Sequence, residues 1–306
     1  MRILVTGHSG QVARCLAQVA NDQPNLDIVF LHRPDFDLLE TSSVEDQICR
    51  YSPDIVVSAA AYTAVDLAED EEDLAFAINA VGAGAVAAAA KKCDAPIIHI
   101  STDYVFDGTK DGAYSETDVP SPKTAYGRTK LAGERFVAGA NPEHIILRTA
   151  WLFSVFGQNF VKTMLRIAKE KNIVGVVSDQ FGNPTSAYEI AKAIIAVAKL
   201  IVEPEFDSFG VYHFAGPETM SWADFAKVVF EQSAAQGGPI CSVTEIDTSQ
   251  FPSRAVRPKN AAMDCSKFEA VFGRDVAHLD IDVRLSVSEI IKNSHRRKNP
   301  AMALSR

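Results

Sequence analysis

The run Arg2-Ile3-Leu4-Val5-Thr6-Gly7-His8-Ser9-Gly10-Gln11-Val12-Ala13 decides the fold of this chain. Arg2–Thr6 is an apolar, β-branched stretch of strand length, and it breaks at Gly7. From Gln11 to Ala20 the apolar residues Val12, Ala13, Leu16, Val19 and Ala20 recur at helical spacing. A strand, a glycine turn and a helix in that order are the context in which a glycine motif binds a dinucleotide. Gly7 supplies the tight turn and Gly10 lets the backbone approach a pyrophosphate, while the helix N-terminus offers unpaired N–H groups at its positive end. Ala13 takes the third small position and still permits close packing of helix on strand.

Working outward, strand-like runs alternate with helical ones. Strands are expected at Ile3–Thr6, Asp27–Leu31, Ile55–Val57, Ile97–Ile100 and His144–Leu147, and helices at Gln11–Ala20, Val44–Tyr51, Asp73–Lys92 and Thr124–Ala138. Such alternation implies βαβ units: an α/β, Rossmann-type doubly wound parallel sheet with helices on both faces. Ligands of such sheets bind beyond the carboxyl ends of the strands. The glycine turn, Ala59-Ala60-Ala61, Ser101-Thr102-Asp103 and Thr149-Ala150-Trp151 all follow expected strands and therefore gather along one edge.

After about residue 150 the alternation loosens. Asn159–Lys171 and Tyr188–Val202 read as helices, Val211–Phe214 as a strand, and Ser221–Gln236 as a helix with a serine cap. Proline and glycine near Pro184, Pro217, Gly237-Gly238-Pro239 and Pro258 punctuate these elements. The expected division is a nucleotide-binding domain of residues 1–150 plus about 185–215. A smaller C-terminal substrate-binding lobe takes about 151–184 plus 216–306. The last dozen residues, from His295 onward, read as a solvated, poorly ordered terminus.

At 306 residues the chain exceeds the usual single domain. A hydrophobic content of 47% suits a globular protein. The net charge of −9 argues against general nucleic-acid binding, which needs a basic face, but allows a local arginine to hold an anionic substrate. The five cysteines, Cys15, Cys49, Cys93, Cys241 and Cys265, lack the close spacing of zinc or redox motifs, so reduced cytosolic thiols are expected. The first residues form a strand rather than a signal core. No apolar run is expected to reach membrane-spanning length, since Val81–Ala90 meets Lys91-Lys92.

The chemistry centres on Tyr126-Gly127-Arg128-Thr129-Lys130. On a helix, residues four apart share a face, so the phenol and the ammonium can serve one spot. A phenol is a loaded proton donor at neutral pH, and an ammonium nearby stabilises the phenolate left behind. A hydroxyl from Ser101-Thr102-Asp103 can hydrogen-bond the same carbonyl oxygen; Thr102 is the first choice and Ser101 the second.

With these residues assembled, the chain resembles the extended short-chain dehydrogenase/reductases, and among them the dTDP-4-dehydrorhamnose reductase family. The resemblance runs from Arg2 to about Asp264. It rests on the glycine turn and on Ala59-Ala60-Ala61-Tyr62-Thr63-Ala64-Val65-Asp66, Ser101–Gly108, Tyr126–Glu134, Arg148-Thr149-Ala150-Trp151, Asn159-Phe160 and Arg257-Pro258. It implies reduction of the C4 ketone of a dTDP-4-keto-6-deoxyhexose, with Thr102, Tyr126 and Lys130 catalytic. The implied cofactor contacts are Gly7, Gly10, Gln11, Val12, Arg33, Asp37, Leu38, Ala59, Ala60 and Ala61, with Tyr126 and Lys130. The implied substrate contacts are Thr63, Val65, Thr102, Asp103, Tyr104, Trp151, Asn159 and Arg257. Val65 and Trp151 suit a C6 methyl, and Arg257 could clamp a pyrophosphate through two oxygens or lie idle on the surface.

Ser58 and Leu67 depart from this family, standing where relatives often carry Asn and Lys. Some relatives bind magnesium between subunits, but Cys15 and Tyr188 occupy the matching positions, so no metal site is expected. A homodimer stays open. His32-Arg33 ends the second strand and could meet a 2′-phosphate, which favours NADPH with NADH tolerated; Asp35 and Asp37 are the alternative ribose partners.

Other enzymes of this fold compete. Dehydratases use Thr-Asp-Glu after the fourth strand, and Tyr104 stands here instead of that Glu. Epimerases usually carry Ser-Ser at the Thr102-Asp103 position. A different class is a non-catalytic regulatory subunit, such as the reductase-like partner of methionine adenosyltransferase. The intact Thr102, Tyr126 and Lys130 favour turnover.

Overall fold

The computed structural model describes residues 1–273 and 276–298. In chain order the first half holds β1 (Arg2–Thr6), α1 (Gln11–Ala20), β2 (Asp27–Leu31), α2 (Thr41–Cys49), β3 (Ile55–Ser58), α3 (Glu72–Phe76), α4 (Ala83–Lys92), β4 (Ile97–Thr102), α5 (Ala125–Ala140) and β5 (His144–Thr149). The second half holds β6 (Leu152–Phe153), α6 (Phe160–Ile167), β7 (Ile173–Val177), β8 (Phe181–Gly182), β9 (Thr185–Ser186), α7 (Ala187–Ile201), β10 (Gly210–His213), β11 (Met220–Ser221), α8 (Trp222–Ala234), β12 (Ser242–Ile246), α9 (Ser266–Phe272) and α10 (Leu279–Lys298).

Six strands form one parallel sheet in the order β10-β5-β4-β3-β1-β2. The chain order reverses beside β1, which opens the crevice used by ligands in doubly wound sheets. Strand interiors are β-branched and buried on both faces: Ile3, Val5, Val57 and Ile98 pack under α1 and α7, and Leu4, Val56 and Ile97 under α2 and α4. The fold class expected from the alternation is the one observed.

A second core gathers Phe153, Val161, Leu165, Val176, Phe225, Val229 and Val283. It lies around α6, α8, α10 and the β7–β12 pair. Residues after 185 rejoin the main sheet, because α7 packs in the same core as α1 and β10 adds a strand. Phe268 of α9 belongs to that main core too.

Several expectations need correction. The helix expected over Asp73–Lys92 is α3 and α4 joined by a π-helical turn, Ala77–Gly82. Asn79 within that turn accepts from Tyr62 N–H at 2.7 Å and donates to the Tyr62 carbonyl at 3.1 Å, so the widened turn braces the Ala59–Asp66 loop. The helical stretch Glu72–Lys92 is long and apolar enough, by length and composition, to cross a membrane, contrary to the expected absence of such a run. Here it is half buried against α2 and α5, the pattern of a core helix.

Cys49 and Cys93 are joined by a disulfide, which overturns the expectation of five reduced thiols. The helices α2 and α4 lie side by side, and their ends bring together two residues that are 44 apart in sequence. Cys15, Cys241 and Cys265 are buried. Helix α10 continues past His295 to Lys298, where fraying was expected; residues 299–306 lie outside the described part.

Candidate active site

A cleft of about 840 Å³ runs along the carboxyl edge of the sheet. The glycine turn starts it. Gly7 has φ +92°, a left-handed conformation that side chains rarely adopt, and its Cβ position faces Ala60. Gly10 caps α1 without any side-chain hydrogen bond, leaving the first-turn N–H groups to an outside acceptor.

Gln11, Val12, Arg33, Asp37, Leu38 and Ala59, Ala60, Ala61 line the same cleft, as expected, and so do Thr63 and Val65. Asp35, the alternative ribose partner, faces a neighbouring hollow instead. The cleft continues to Thr102, Asp103, Tyr104, Tyr126, Lys130 and Trp151. These surfaces fit an extended dinucleotide with a second ligand at its far end.

Helix α5 carries Tyr126 and Lys130 into the cleft. Thr124 caps it by accepting from Gly127 N–H at 3.0 Å. A Cβ on Gly127 would sit 2.2 Å from the Tyr104 carbonyl oxygen, so only glycine lets α5 approach this closely. The result is edge-to-face contact between the Tyr104 and Tyr126 rings, with centroids 5.6 Å apart.

Burial pushes the Tyr126 phenol up to about 12, with the Thr102 hydroxyl pulling the other way and the Asp103 charge adding to the rise. This differs from the expected ammonium-lowered phenol. Lys130 is instead turned into the sheet: its Nζ donates to the Ile100 carbonyl at 2.6 Å and lies 3.3 Å from His99 Nε2. Burial lowers the Lys130 ammonium to about 8, against the opposing charge of Glu134. Burial likewise raises the Asp103 carboxyl to about 7, and its Oδ2 has no hydrogen-bond partner among the described residues.

Strand β4 runs further than expected, so Ser101 and Thr102 belong to the strand and point to opposite faces. Ser101 also lines the cleft, but its hydroxyl donates to Glu134 Oε1 at 2.5 Å, so the runner-up donor is already engaged. Thr102 keeps the cleft side.

Trp151 sits at φ +45° between two flat surfaces. Its ring stacks on Trp222 with centroids 3.4 Å apart, and a Cβ on Gly182 would strike the indole. Two expected substrate contacts lie outside the cleft lining. Asn159 caps α6 by accepting from Lys162 N–H and donates to Gln11 Oε1 at 2.9 Å, tying the second lobe to the glycine turn. Arg257 is clamped on Asp66 at 2.6 and 3.2 Å.

The sequence reading missed Phe36, Gly157 and Gln158, which loops supply without a pattern, and Ile78, which the π-helical turn brings to the cleft wall. It also missed Trp222 and the buried polar residues behind α5. For those a signal existed: His99, Ser101 and Arg148 interrupt otherwise apolar strands.

The RmlD substrate binding domain family matches residues 1–292. A dTDP-4-dehydrorhamnose reductase of Sinorhizobium fredii is 47% identical over 274 residues, 89% of this chain and 92% of that one. The corresponding protein of Escherichia coli K12 is 37% identical, covering 95% of this chain and 98% of its own. Among solved structures, the Bacillus anthracis dTDP-4-dehydrorhamnose reductase in complex with NADP superposes with a TM-score of 0.87 at 33% identity, over 94% of this chain and 99% of that one. A Thermus thermophilus UDP-glucose 4-epimerase, 18% identical with a TM-score of 0.79, shares the fold. Agreement in sequence and backbone over nearly the whole of both chains makes this protein a member of the dTDP-4-dehydrorhamnose reductase family.

Proposed function

We propose that the cleft reduces the C4 ketone of a dTDP-4-keto-6-deoxy-L-hexose to dTDP-L-rhamnose with NADPH. The observation that carries this reading is that Tyr126, Thr102 and Lys130 line the same cleft as the Gly7–Gly10 turn. The names of the relatives and the NADP bound to the Bacillus anthracis structure support the substrate and cofactor.

The nicotinamide, when bound, supplies the hydride that reaches C4. Tyr126 gives its phenolic proton to the ketone oxygen, so the product carries a hydroxyl. With its phenol raised to about 12, Tyr126 stays loaded throughout the neutral range. Thr102, once its hydroxyl is released from Asp103, would orient the ketone oxygen. Lys130, one turn along α5, holds the nicotinamide ribose. Val65 and the Trp151 face offer apolar wall to the sugar methyl. Arg33, two residues beyond β2 in the cleft wall, would hold the 2′-phosphate. Residues 1–150 with about 185–215 bind the cofactor, and about 151–184 with 216–306 cover the sugar, save that Phe268 serves the cofactor domain's core. Both ligands are metabolites of the cell interior, so this reading has the enzyme working in the cytoplasm.

The test is loss of NADPH absorbance on adding the enzymatically made ketosugar, with NMR identification of the product. Formation of the C4 epimer, or no turnover, counts against the reading.

A further inference from the structure

Helix α5 places Lys130 and Glu134 one turn apart over β4, whose His99 and Ser101 point at the same face. Each pair meets: Ser101 with Glu134, and His99 with Lys130. The second contact joins an undescribed group to a residue that lines the cofactor cleft. His99 is buried in the middle of the sheet, and its Nδ1 lies 3.1 Å from Ser58 Oγ on the neighbouring strand β3.

We propose that His99, anchored by Ser58, is a positioning residue that aims the Lys130 ammonium at the cofactor. The inference rests on the reading of Lys130 given above. An ammonium has three donors and no acceptor. One N–H goes to the Ile100 carbonyl and a second to His99 Nε2, which leaves the third for the cleft. A ring that accepts at Nε2 must carry its hydrogen on Nδ1, and the Ser58 oxygen is placed to receive it. Burial and the Lys130 charge both hold His99 neutral, so it stays an acceptor at every working pH.

The other charged or titratable groups around Lys130 are accounted for. Glu134 of α5 is paired with Arg148 of β5, and His213 of β10 stands behind Arg148. Asp103 and Tyr126 face the cleft. Ser58 is the departure from the family noted in the sequence, and here it supplies the fixed oxygen that a ring anchored in the sheet requires.

The experiment compares His99→Leu, His99→Gln, Ser58→Ala and Lys130→Met with the intact protein. NADPH affinity of the sugar-free protein is read by calorimetry, the pH dependence of kcat/KM by steady-state assay, and the His99 tautomer by ¹⁵N NMR. His99→Leu should weaken NADPH roughly tenfold, the size of one hydrogen bond to a charged group. It should also move the alkaline limb of kcat/KM to lower pH, because the ammonium has lost an acceptor. His99→Gln, whose side-chain carbonyl can accept, should recover most of both effects. The NMR spectrum should show an Nδ1–H ring that loses its single tautomer in Ser58→Ala. Wild-type affinity and alkaline limb in His99→Leu overturn the proposal, as does His99→Gln behaving like leucine, which would reduce the ring to filler. If Lys130→Met itself binds NADPH and turns over normally, the fault lies with the role given to Lys130.

Discussion

The Thr102 hydroxyl is committed to Asp103: it donates to Oδ1 at 2.8 Å while accepting from the Tyr104 N–H at 3.2 Å. A carboxylate only accepts, so while Asp103 is ionised the Thr102 hydrogen cannot turn to a ketone. A protonated Asp103 can itself donate, which frees Thr102.

The first prediction follows from burial raising Asp103 to about 7. The useful form is the protonated one, so kcat should fall as pH rises through about 7. Asp103→Asn presents an amide donor at every pH and should lack this limb while keeping activity. Steady-state pH profiles of both proteins decide it; the same limb in the variant would assign the titration elsewhere.

Tyr126→Phe removes the phenolic hydroxyl that the proposed mechanism uses as proton donor and leaves the ring packing against Tyr104 in place. Turnover should drop by about 10²–10⁴-fold with NADPH affinity retained. A variant within about threefold of wild type would remove Tyr126 from the chemistry.

Lys130 carries two pH signatures of opposite sign. On the proposed role of Lys130 at the cofactor, its ammonium, lowered to about 8, is the binding form, so kcat/KM should decline as pH rises through about 8. Folding responds the other way: the unfolded lysine keeps its proton to higher pH, so this group favours the folded state increasingly from about 8 towards its ordinary value. Lys130→Met should abolish both effects, read by kinetics and by denaturant titration across that range.

Arg33 is exposed at the cleft's adenosine end. Arg33→Ala should raise the KM for NADPH roughly ten- to a hundredfold, because a guanidinium on a phosphate is a charge-assisted hydrogen bond. The KM for NADH should barely move. A parallel response of the two cofactors would give the ribose to Asp37.

Glu134 and Arg148 form a buried ion pair through two hydrogen bonds of 2.9 and 2.7 Å, with side chains only 5% and 4% exposed. Glu134→Gln leaves the guanidinium buried without its counter-charge. The loss should be about 3–5 kcal/mol of unfolding free energy, measured by denaturant titration. A loss under about 1 kcal/mol would show that solvent or Ser101 relieves the charge.

Local patterns carried most of the fold. The β-branched runs before Gly7, Ala59, Asp103 and Ala150 could only be buried strands, and Gly7 and Gly10 could only mark a turn into a helix. That Tyr126 and Lys130 share a cleft was legible because they lie on one helix, at a spacing that a helix converts into a shared face. Arg257 and Asn159 were legible as polar groups but not as partners of Asp66 and Gln11, since those partners are far away in sequence.

The sequence by itself determined the parallel α/β sheet and the glycine turn, and named three residues that line one cleft, because strand burial, helical period and turn chemistry act between near neighbours. Only the tertiary structure decided what each group is doing. The packing of α5 on β4 turned Lys130 towards His99, sent Ser101 to Glu134 and left Thr102 in the cleft. The packing of α2 against α4 made a disulfide of Cys49 and Cys93. Hydrogen bonds, desolvation and charge act over a few ångströms of space, and the chain brings those neighbours together only once it has folded.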